Sequence, residues 1–479
     1  MKAIPLVSLL MALVAPLGLS AQSATPSRPN VLFISVDDLR DWVGYLGRHP
    51  QAVTPHFDRL AARGVVFERA YCAAPSCNPS RAALMSGLRP STSGVYLNPH
   101  DWRPHIPPDL TLVTTLRRAG YETLAAGKIY HGHWDRHSEW EEYASERPRD
   151  PEPTGPVEGV GAIQFTPLDC SDDEMQDSEV AAYGISQLSR KHDRPFFLCI
   201  GFHKPHLPWN VPRKYYDLHP LETIQLPPTL ENDLGDIPKV GVAMARQAGD
   251  HEKILKAGKW KEAVRGYLAT ISFVDAMLGR LLDAFERSEY RDNTIVILWS
   301  DHGWNLGEKE HWRKFALWED TTRSPLIVAA PGLTKAGSRC EQPVDLMTIY
   351  PTITDLCGIP TPKHVEGRSL RPLLANPAGS WEQPAVMTWG FNNHAVRAVG
   401  WRYIRYADGT EELYDEAADP NEWRNLAANP RYEAKKAELA KWIPRRNAPE
   451  ISRRPGSSDE DPGAKRKSPS AKQPAVDRQ

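Results

Sequence analysis

The chain has 479 residues, 41% hydrophobic and 25% charged, an ordinary globular composition with more length than one simple core holds. Lys and Arg number 58 against 60 Asp and Glu, and this net charge of −2 gives no electrostatic drive toward nucleic acid or an acidic membrane surface. The 43 prolines predict long ordered surface loops, and the 15 tryptophans predict stacking surfaces, for which sugars are one candidate ligand.

The first residues read as a secretory signal over 1–24. Lys2 precedes an apolar stretch from Ile4 to Leu19, and small residues at Ser20, Ala21, Ser23 and Ala24 offer cleavage sites. An uncleaved anchor is the other reading, but the run is short and carries Pro5 and Pro16. No later segment is apolar enough to span a bilayer, so the expectation is an exported protein, periplasmic or extracellular, without integral membrane association. Asn30–Val36 is a buried-strand pattern that ends at Asp37 and Asp38. Residues 54–64 predict a helix with Thr54 at its cap and Pro55 in its first turn. A strand over 65–70 follows, then a helix starting with Pro79 at its first position. Helix 112–119 leads to strand 122–126, which ends at Gly127 and Lys128.

Residues 137–178 are polar and Pro-rich, a long surface insertion. Helix 180–189 precedes strand 195–201, a Pro-rich loop runs through Pro228, and a long helix covers 260–285. Strand 294–299 ends at Ser300, Asp301 and His302, and strand 325–330 follows. Strands alternating with helices predict an α/β fold with a large, mainly parallel sheet sandwiched by helices. From Pro384 the pattern changes to short strands at 385–389, 395–399, 403–406 and 413–414, closed by a helix within 432–443. The expected organisation is therefore a large N-terminal α/β domain over 25–380, a smaller antiparallel-sheet subdomain over 381–448, and a disordered tail over 449–479.

Six cysteines are few for an exported chain of this length and show no CxxC spacing. Cys199 sits in an apolar run and reads as a core thiol, and a Cys340–Cys357 bridge is left open. Polar clusters recur where predicted strands end: Asp37/Asp38, Lys128/His131, His203/His206 and Asp301/His302. In an open α/β sheet, ligands bind outside the carboxyl ends of strands, so a shared site explains the four clusters together. Asp37, Asp38 and Asp301 are hard oxygen ligands suited to Ca2+, or less well to Mg2+. Taken alone, the Asp37–Asp38 pair also fits helix capping or solvated charge.

The segment Cys77-Asn78-Pro79-Ser80-Arg81, continuing through Leu84, Ser86 and Gly87, places a cysteine before a helix N-terminus, where backbone N–H groups favour an anion. Arg81 adds a positive fork one turn in. A loop cysteine beside an exposed arginine, or a plain thiol nucleophile, are the alternatives. This segment resembles the C-x-P-S-R signature of the sulfatase family, which has the alkaline-phosphatase-like fold. Val36–Arg40 (VDDLR), Gly127–Gly132 (GKIYHG), Phe202–Pro208 (FHKPHLP), Ser300–Lys314 (SDHGWNLGEKEHWRK) and Leu413–Ala427 resemble its iduronate-2-sulfatase-like branch, over roughly residues 28–445.

The resemblance implies that Cys77 is oxidised to formylglycine (3-oxoalanine) by a formylglycine-generating or anaerobic sulfatase-maturating enzyme. Asp37, Asp38, Asp301 and His302 would hold one divalent cation together with that residue. Arg81 would stabilise the hydrated aldehyde, Lys128 and Lys314 would hold sulfate oxygens, His131 would contact the hydrate as the base that expels sulfate, and His206 would protonate the leaving oxygen. His203 reads instead as a packed strand-end residue. The implied activity is hydrolysis of sulfate esters of a carbohydrate, with a 2-O-sulfated uronic acid one candidate. His394 and Arg397 are either contacts to its carboxylate or hydroxyls, or surface strand residues. A phosphate mono- or diester hydrolase of the same superfold is one rival, against which Cys77 argues. A sulfated-glycan-binding pseudoenzyme is the other, against which the full set of lysines, histidines and carboxylates argues.

Overall fold

The unbroken apolar run of β1 (Asn30–Val36) is buried along its whole length. The computed structural model describes residues 28–144 and 149–453, so the expected signal over 1–24 lies outside the described residues. β1 is central in an eight-stranded sheet with β2 (Val65–Phe67), β3 (Glu122–Gly127), β4 (Glu142–Tyr143), β5 (Phe196–Phe202), β6 (Thr294–Ser300), β7 (Leu326–Ala329) and β8 (Ser338–Cys340). The order across the sheet is β8-β2-β7-β6-β1-β5-β3-β4. All neighbours are parallel except at β7, which runs antiparallel to β6 and β2.

Alternation along the strands makes two cores. Leu32, Ile34 and Val36 face α1 (Pro55–Ala61), and on the same face lie a second helix, Gln176–Ser189, and a long third, Trp260–Arg287. Val31 and Phe33 face the opposite core, shared with helices Cys77–Ser86, Leu112–Arg118 and Ile349–Leu356. Helix α1 starts where Thr54 and Pro55 predict, but the Thr54 hydroxyl accepts from Gly44 N instead of capping. Its first N–H groups are taken by Asp275 of the long helix, at 2.9 Å to His56 N and 2.8 Å to Phe57 N.

The C-terminal sheet is an antiparallel meander of β9 (Ala385–Thr388), β10 (His394–Ala398), β11 (Trp401–Arg405) and β12 (Glu411–Asp415). One face packs Val396, Tyr403 and Leu413 on helix Glu433–Ala440, which contributes Leu439. The other packs Ala395, Ile404 and Tyr414 against Tyr71, Ala316, Leu317 and Trp318 of the larger unit.

Several expectations are corrected. The run 65–70 is two strands, because Ala70–Tyr71 leaves the main sheet to pair with Val344–Asp345. The insertion 137–178 is only partly surface: Trp140, Ile163, Phe165 and Leu168 are buried in the cores. Between the Pro-rich loop and residue 260 lie helices Lys239–Ala245 and Asp250–Ala257, which the sequence pattern does not mark. The tail does not begin at 449, since Ile451 N donates to Gly94 O at 3.2 Å and Arg453 bridges to His100. Cys340 and Cys357 are free thiols, as are the other four cysteines.

Candidate active site

β6, β1, β5 and β3 are adjacent and parallel, so their carboxyl ends open on one edge. Asp301 and His302, Asp37 and Asp38, His203, and Lys128 leave those four ends, as the strand-end clusters predict. Asp38 turns sharply with φ 58°, a left-handed conformation rare outside glycine, and Tyr267 of the long helix holds that turn by donating to Asp38 O at 2.8 Å.

Cys77 is the first residue of its helix, with Ser76 at the cap, so the helix begins two residues earlier than expected and Pro79 sits within its first turn. There its missing N–H costs no intrahelical bond. The helix is buried throughout, and its start is fastened from outside. Asn98 accepts from Asn78 N at 2.9 Å and from the Ser76 hydroxyl at 2.7 Å. The Asn78 amide donates to His100 O at 2.7 Å, and Ser80 donates to Asp301 O at 2.6 Å.

Around the Cys77 sulfur stand Lys314 Nζ at 2.9 Å, His302 Nε2 at 3.3 Å and Asp38 Oδ1 at 3.6 Å. Lys314 also donates to Asp38 Oδ1 at 2.7 Å. Lys128 Nζ donates to Asp37 Oδ2 at 2.5 Å. Arg81 is the hub: Nε bonds Asp301 Oδ2 and an Nη bonds Asp37 Oδ1, both at 2.9 Å, while the other Nη reaches the carbonyls of Lys128 at 2.6 Å and Ile129 at 3.1 Å. Its fork therefore fixes two carboxylates, a task beyond the aldehyde contact the resemblance implies.

His302 Nδ1 lies 2.9 Å from Gly303 O and Nε2 lies 3.2 Å from Asp38 Oδ1, both pure acceptors, so a neutral ring that donates through Nδ1 turns its Nε2 lone pair toward the carboxylate. That is the form a metal-binding imidazole takes. Asp38, Cys77, Asp301 and His302 each bring a donor atom within 4.8 Å of the others, and Asp37, Asp38 and His206 form a second group sharing Asp38. Asp37 thus stands apart from the first group, its oxygens already taken by Arg81 and Lys128. Asp38 Oδ2 is buried with no hydrogen-bond partner among the described residues. An orphaned carboxylate oxygen in a cluster of two carboxylates and an imidazole is chemistry that fits a hard divalent cation.

Burial works to raise the Asp37 carboxyl, but Lys128, Arg81, His206 and Lys314 outweigh it and hold it well below its usual range. Asp38 is lowered likewise, burial being overcome by Lys314 and His206. Burial opposes the charge of Lys314, yet Asp38, Cys77 and Asp37 push it well above its ordinary value. The Cys77 thiol goes well up, through burial and Asp37, against the pull of Lys128 and Lys314. A thiol that stays protonated is a poor nucleophile.

His206 stands at the rim, with Nε2 3.7 Å from Asp38 Oδ2 and Nδ1 2.6 Å from Leu207 O. His131 is buried in the turn after β3. His203 is half-buried at the end of β5, its backbone N–H donating to Asp177 at 2.7 Å with its ring 3.1 Å from the same carboxylate. The other two residues are corrected. Arg397 is buried and bonded to Glu319 at 2.9 Å, Glu416 at 3.3 Å and Ala398 O at 2.6 Å, so its fork is spent on protein groups. His394 is fully buried beside Thr388 at 3.0 Å, and burial lowers it to about 4. Neither is a surface strand residue. Sequence reasoning missed Asn98, Tyr267 and His311, none of which carries a spacing signal toward Cys77.

The sulfatase family model matches residues 29–359, and a second, described as N-sulphoglucosamine sulphohydrolase, C-terminal, matches residues 307–448. A protein of Formosa agariphila named sulfatase is 39% identical over 448 residues, 88% of this chain and 87% of that one. Mouse iduronate 2-sulfatase is 30% identical over 384 residues, 70% of this chain and 69% of that one. The solved phosphonate monoester hydrolase of Agrobacterium radiobacter shares the fold, with a TM-score of 0.73 at 24% identity, covering 86% of this chain and 94% of that one. The chain belongs to the sulfatase family and is a hydrolase of sulfate esters.

Proposed function

We propose that the protein hydrolyses sulfate esters of a carbohydrate, a 2-O-sulfated uronic acid first, using formylglycine formed from Cys77 beside one Ca2+. The observation that carries this is the ring of groups around the Cys77 sulfur: a lysine ammonium at 2.9 Å, an imidazole nitrogen at 3.3 Å and a carboxylate at 3.6 Å. That sulfur stands in for an oxygen of the hydrated aldehyde. Formylglycine would supply two hydroxyls on one carbon, one for attack on sulfur and one for release of sulfate. The cation would supply charge neutralisation, held by Asp38, Asp301 and His302 with Asp37 adjoining. Three carboxylates (Asp37, Asp38, Asp301) already face three cationic side chains (Arg81, Lys128, Lys314). A divalent cation then leaves positive charge for an anionic ester to offset.

Lys128 and Lys314 contact sulfate oxygens in this reading, and His131 is the base that expels sulfate. His206 protonates the leaving oxygen. Nδ1 against Leu207 O at 2.6 Å orients the ring so that Nε2 turns toward Asp38. The sugar class is supported by the name of the mouse relative and by the C-terminal family model. The maturation partner is a formylglycine-generating or anaerobic sulfatase-maturating enzyme, and the expected signal over 1–24 supports export. No helix among the described residues is long and apolar enough to cross a membrane.

The test is turnover of 4-nitrophenyl sulfate by chain coexpressed with and without a maturating enzyme, with mass spectrometry of the Cys77 peptide. Activity should track conversion of thiol to aldehyde and vanish on chelation. An active preparation holding only unmodified Cys77, or one that cleaves 4-nitrophenyl phosphate and not the sulfate, would overturn the proposal.

A further inference from the structure

The backbone on either side of Lys314 is held in an uncommon conformation. Its neighbours Arg313 and Phe315 have φ of 71° and 82°, and Lys309 and Glu310 have 54° and 49°. Left-handed backbone at such residues costs on the order of 1 kcal/mol each and persists only where surrounding bonds over-determine it. A cavity of about 190 Å3, lined by Ala245, Asp250, His311, Arg313 and Phe315 among others, lies against this segment. Close packing does not back the chain on that side.

Hydrogen bonds do the holding. Phe315 N donates to Pro75 O at 3.1 Å, tying the segment to the turn before Cys77. From the other side the buried His311 ring brings Nε2 to 2.8 Å from Lys314 O and Nδ1 to 2.9 Å from Ala245 O. Ala245 ends the helix Lys239–Ala245, and Trp318 packs edge-on to the ring at 6.2 Å. Both oxygens are pure acceptors, so the ring donates to one of them as a neutral imidazole and to both as an imidazolium. Burial lowers the His311 pKa, offset in part by those two carbonyls and by Asp250 and Glu308.

We infer that His311 is a positioning residue for sulfate-ester hydrolysis: its ring, seated between Lys314 O and Ala245 O, holds the Lys314 main chain at a set distance from the helix Lys239–Ala245, and so sets where the Lys314 ammonium stands against Cys77 and Asp38. This rests on the contact proposed between Lys314 and sulfate oxygens. Lys314 reaches Cys77 on a flexible four-carbon stem, so a shift of its Cα moves the charge or forces a new rotamer. Misplacement by about 1 Å of a group acting on the transition state costs roughly a hundredfold in rate.

The experiment is a double-mutant cycle on matured full chain, read as kcat with 4-nitrophenyl sulfate. His311→Leu should lower kcat roughly ten- to hundredfold, but less than about twofold in a Lys314→Ala background, because the positioned group is then gone. His311→Gln, whose amide nitrogen carries two N–H donors, should recover most of the loss. Should His311→Leu fail to fold, His311→Asn, too short to reach both carbonyls, takes its place in the cycle. Equal losses in the two backgrounds, or unchanged kcat in the single variant, overturn the inference. A Lys314→Ala variant that turns over like the wild type removes the role of Lys314 first, and the two failures are thereby told apart.

Discussion

Arg81→Lys keeps the charge at the hub of the site and removes its geometry. The guanidinium spans Asp37 and Asp301 with bonds of 2.9 Å each, and all three side chains are fully buried. It also satisfies the carbonyls of Lys128 and Ile129. A lysine ammonium at that position reaches one carboxylate, so that either Asp301 loses its guanidinium or Asp37 keeps only Lys128. Breaking one partner of a buried pair costs about 3–5 kcal/mol, so a loss of about 3 kcal/mol is expected by urea titration. Arg213→Lys is the control: its partner is Asp169 in an exposed pair, where the change should leave the urea midpoint unmoved. The second readout is calcium. At a concentration near a hundred times its dissociation constant, Ca2+ should stabilise the wild type by about 2.7 kcal/mol. If losing the orientation of Asp301 and Asp37 weakens binding ~10–100-fold, the same calcium should add only about 0.4–1.4 kcal/mol to the variant. An Arg81→Lys protein within about 0.5 kcal/mol of wild type, with the full calcium increment, would refute the reasoning.

Cys77→Ser should release at most one equivalent of alcohol and then stall, since a serine has no second hydroxyl with which to expel the sulfate. Continued turnover near the wild-type rate, followed by 4-nitrophenolate release, would sink the formylglycine reading. Glu416, bonded to Arg397 and Arg402 at 3.3 Å, is pushed from its ordinary 4.5 to about 7 by burial and by the charge of Glu319, against those two arginines. The folded state then binds the Glu416 proton more tightly than the unfolded state. This group's stabilisation is full below about pH 4.5 and is lost as pH rises through about 7. Glu416→Gln should therefore gain stability relative to wild type across that window, whereas a difference equal at about pH 5 and about pH 8 would contradict the assignment.

What the sequence made legible is what short-range pattern encodes. The run Asn30–Val36 is a strand because seven consecutive residues suit burial on both faces, and Asp37 and Asp38 mark where it ends. Strand ends carrying His, Lys and Asp lie together because adjacent parallel strands must end on the same edge. The C-terminal meander was readable from its turns, and the long helix from its apolar face. What pattern could not reach is pairing across the fold. Thr54 occupies a cap position, but the N–H groups go to Asp275, more than two hundred residues away. Arg397 has a strand position and an unmatched charge in the sequence, and only the fold supplies Glu319 and Glu416 to consume it.

That consumption explains why the C-terminal sheet belongs to the site although none of its side chains touches Cys77 in the bonds described above. The segment from Gly307 to Thr322 carries Lys314 and is bonded to that sheet repeatedly. Trp318 Nε1 donates to Glu412 at 2.8 Å, Glu319 N donates to Glu422 at 2.8 Å, and Glu319 is paired with Arg397 and Arg402. Lys309 reaches both Asp233 and the carbonyl of Glu422. The arginines outweigh burial and hold Glu319 well below its usual range, so it is the charged anchor between the two units. A buried carboxylate shared by two guanidiniums is poor at adding net stability but strict about where its backbone lies. Fixing the register of the segment that carries Lys314 is a use that such a network fits, and it accounts for buried charge that an apolar interface would have avoided.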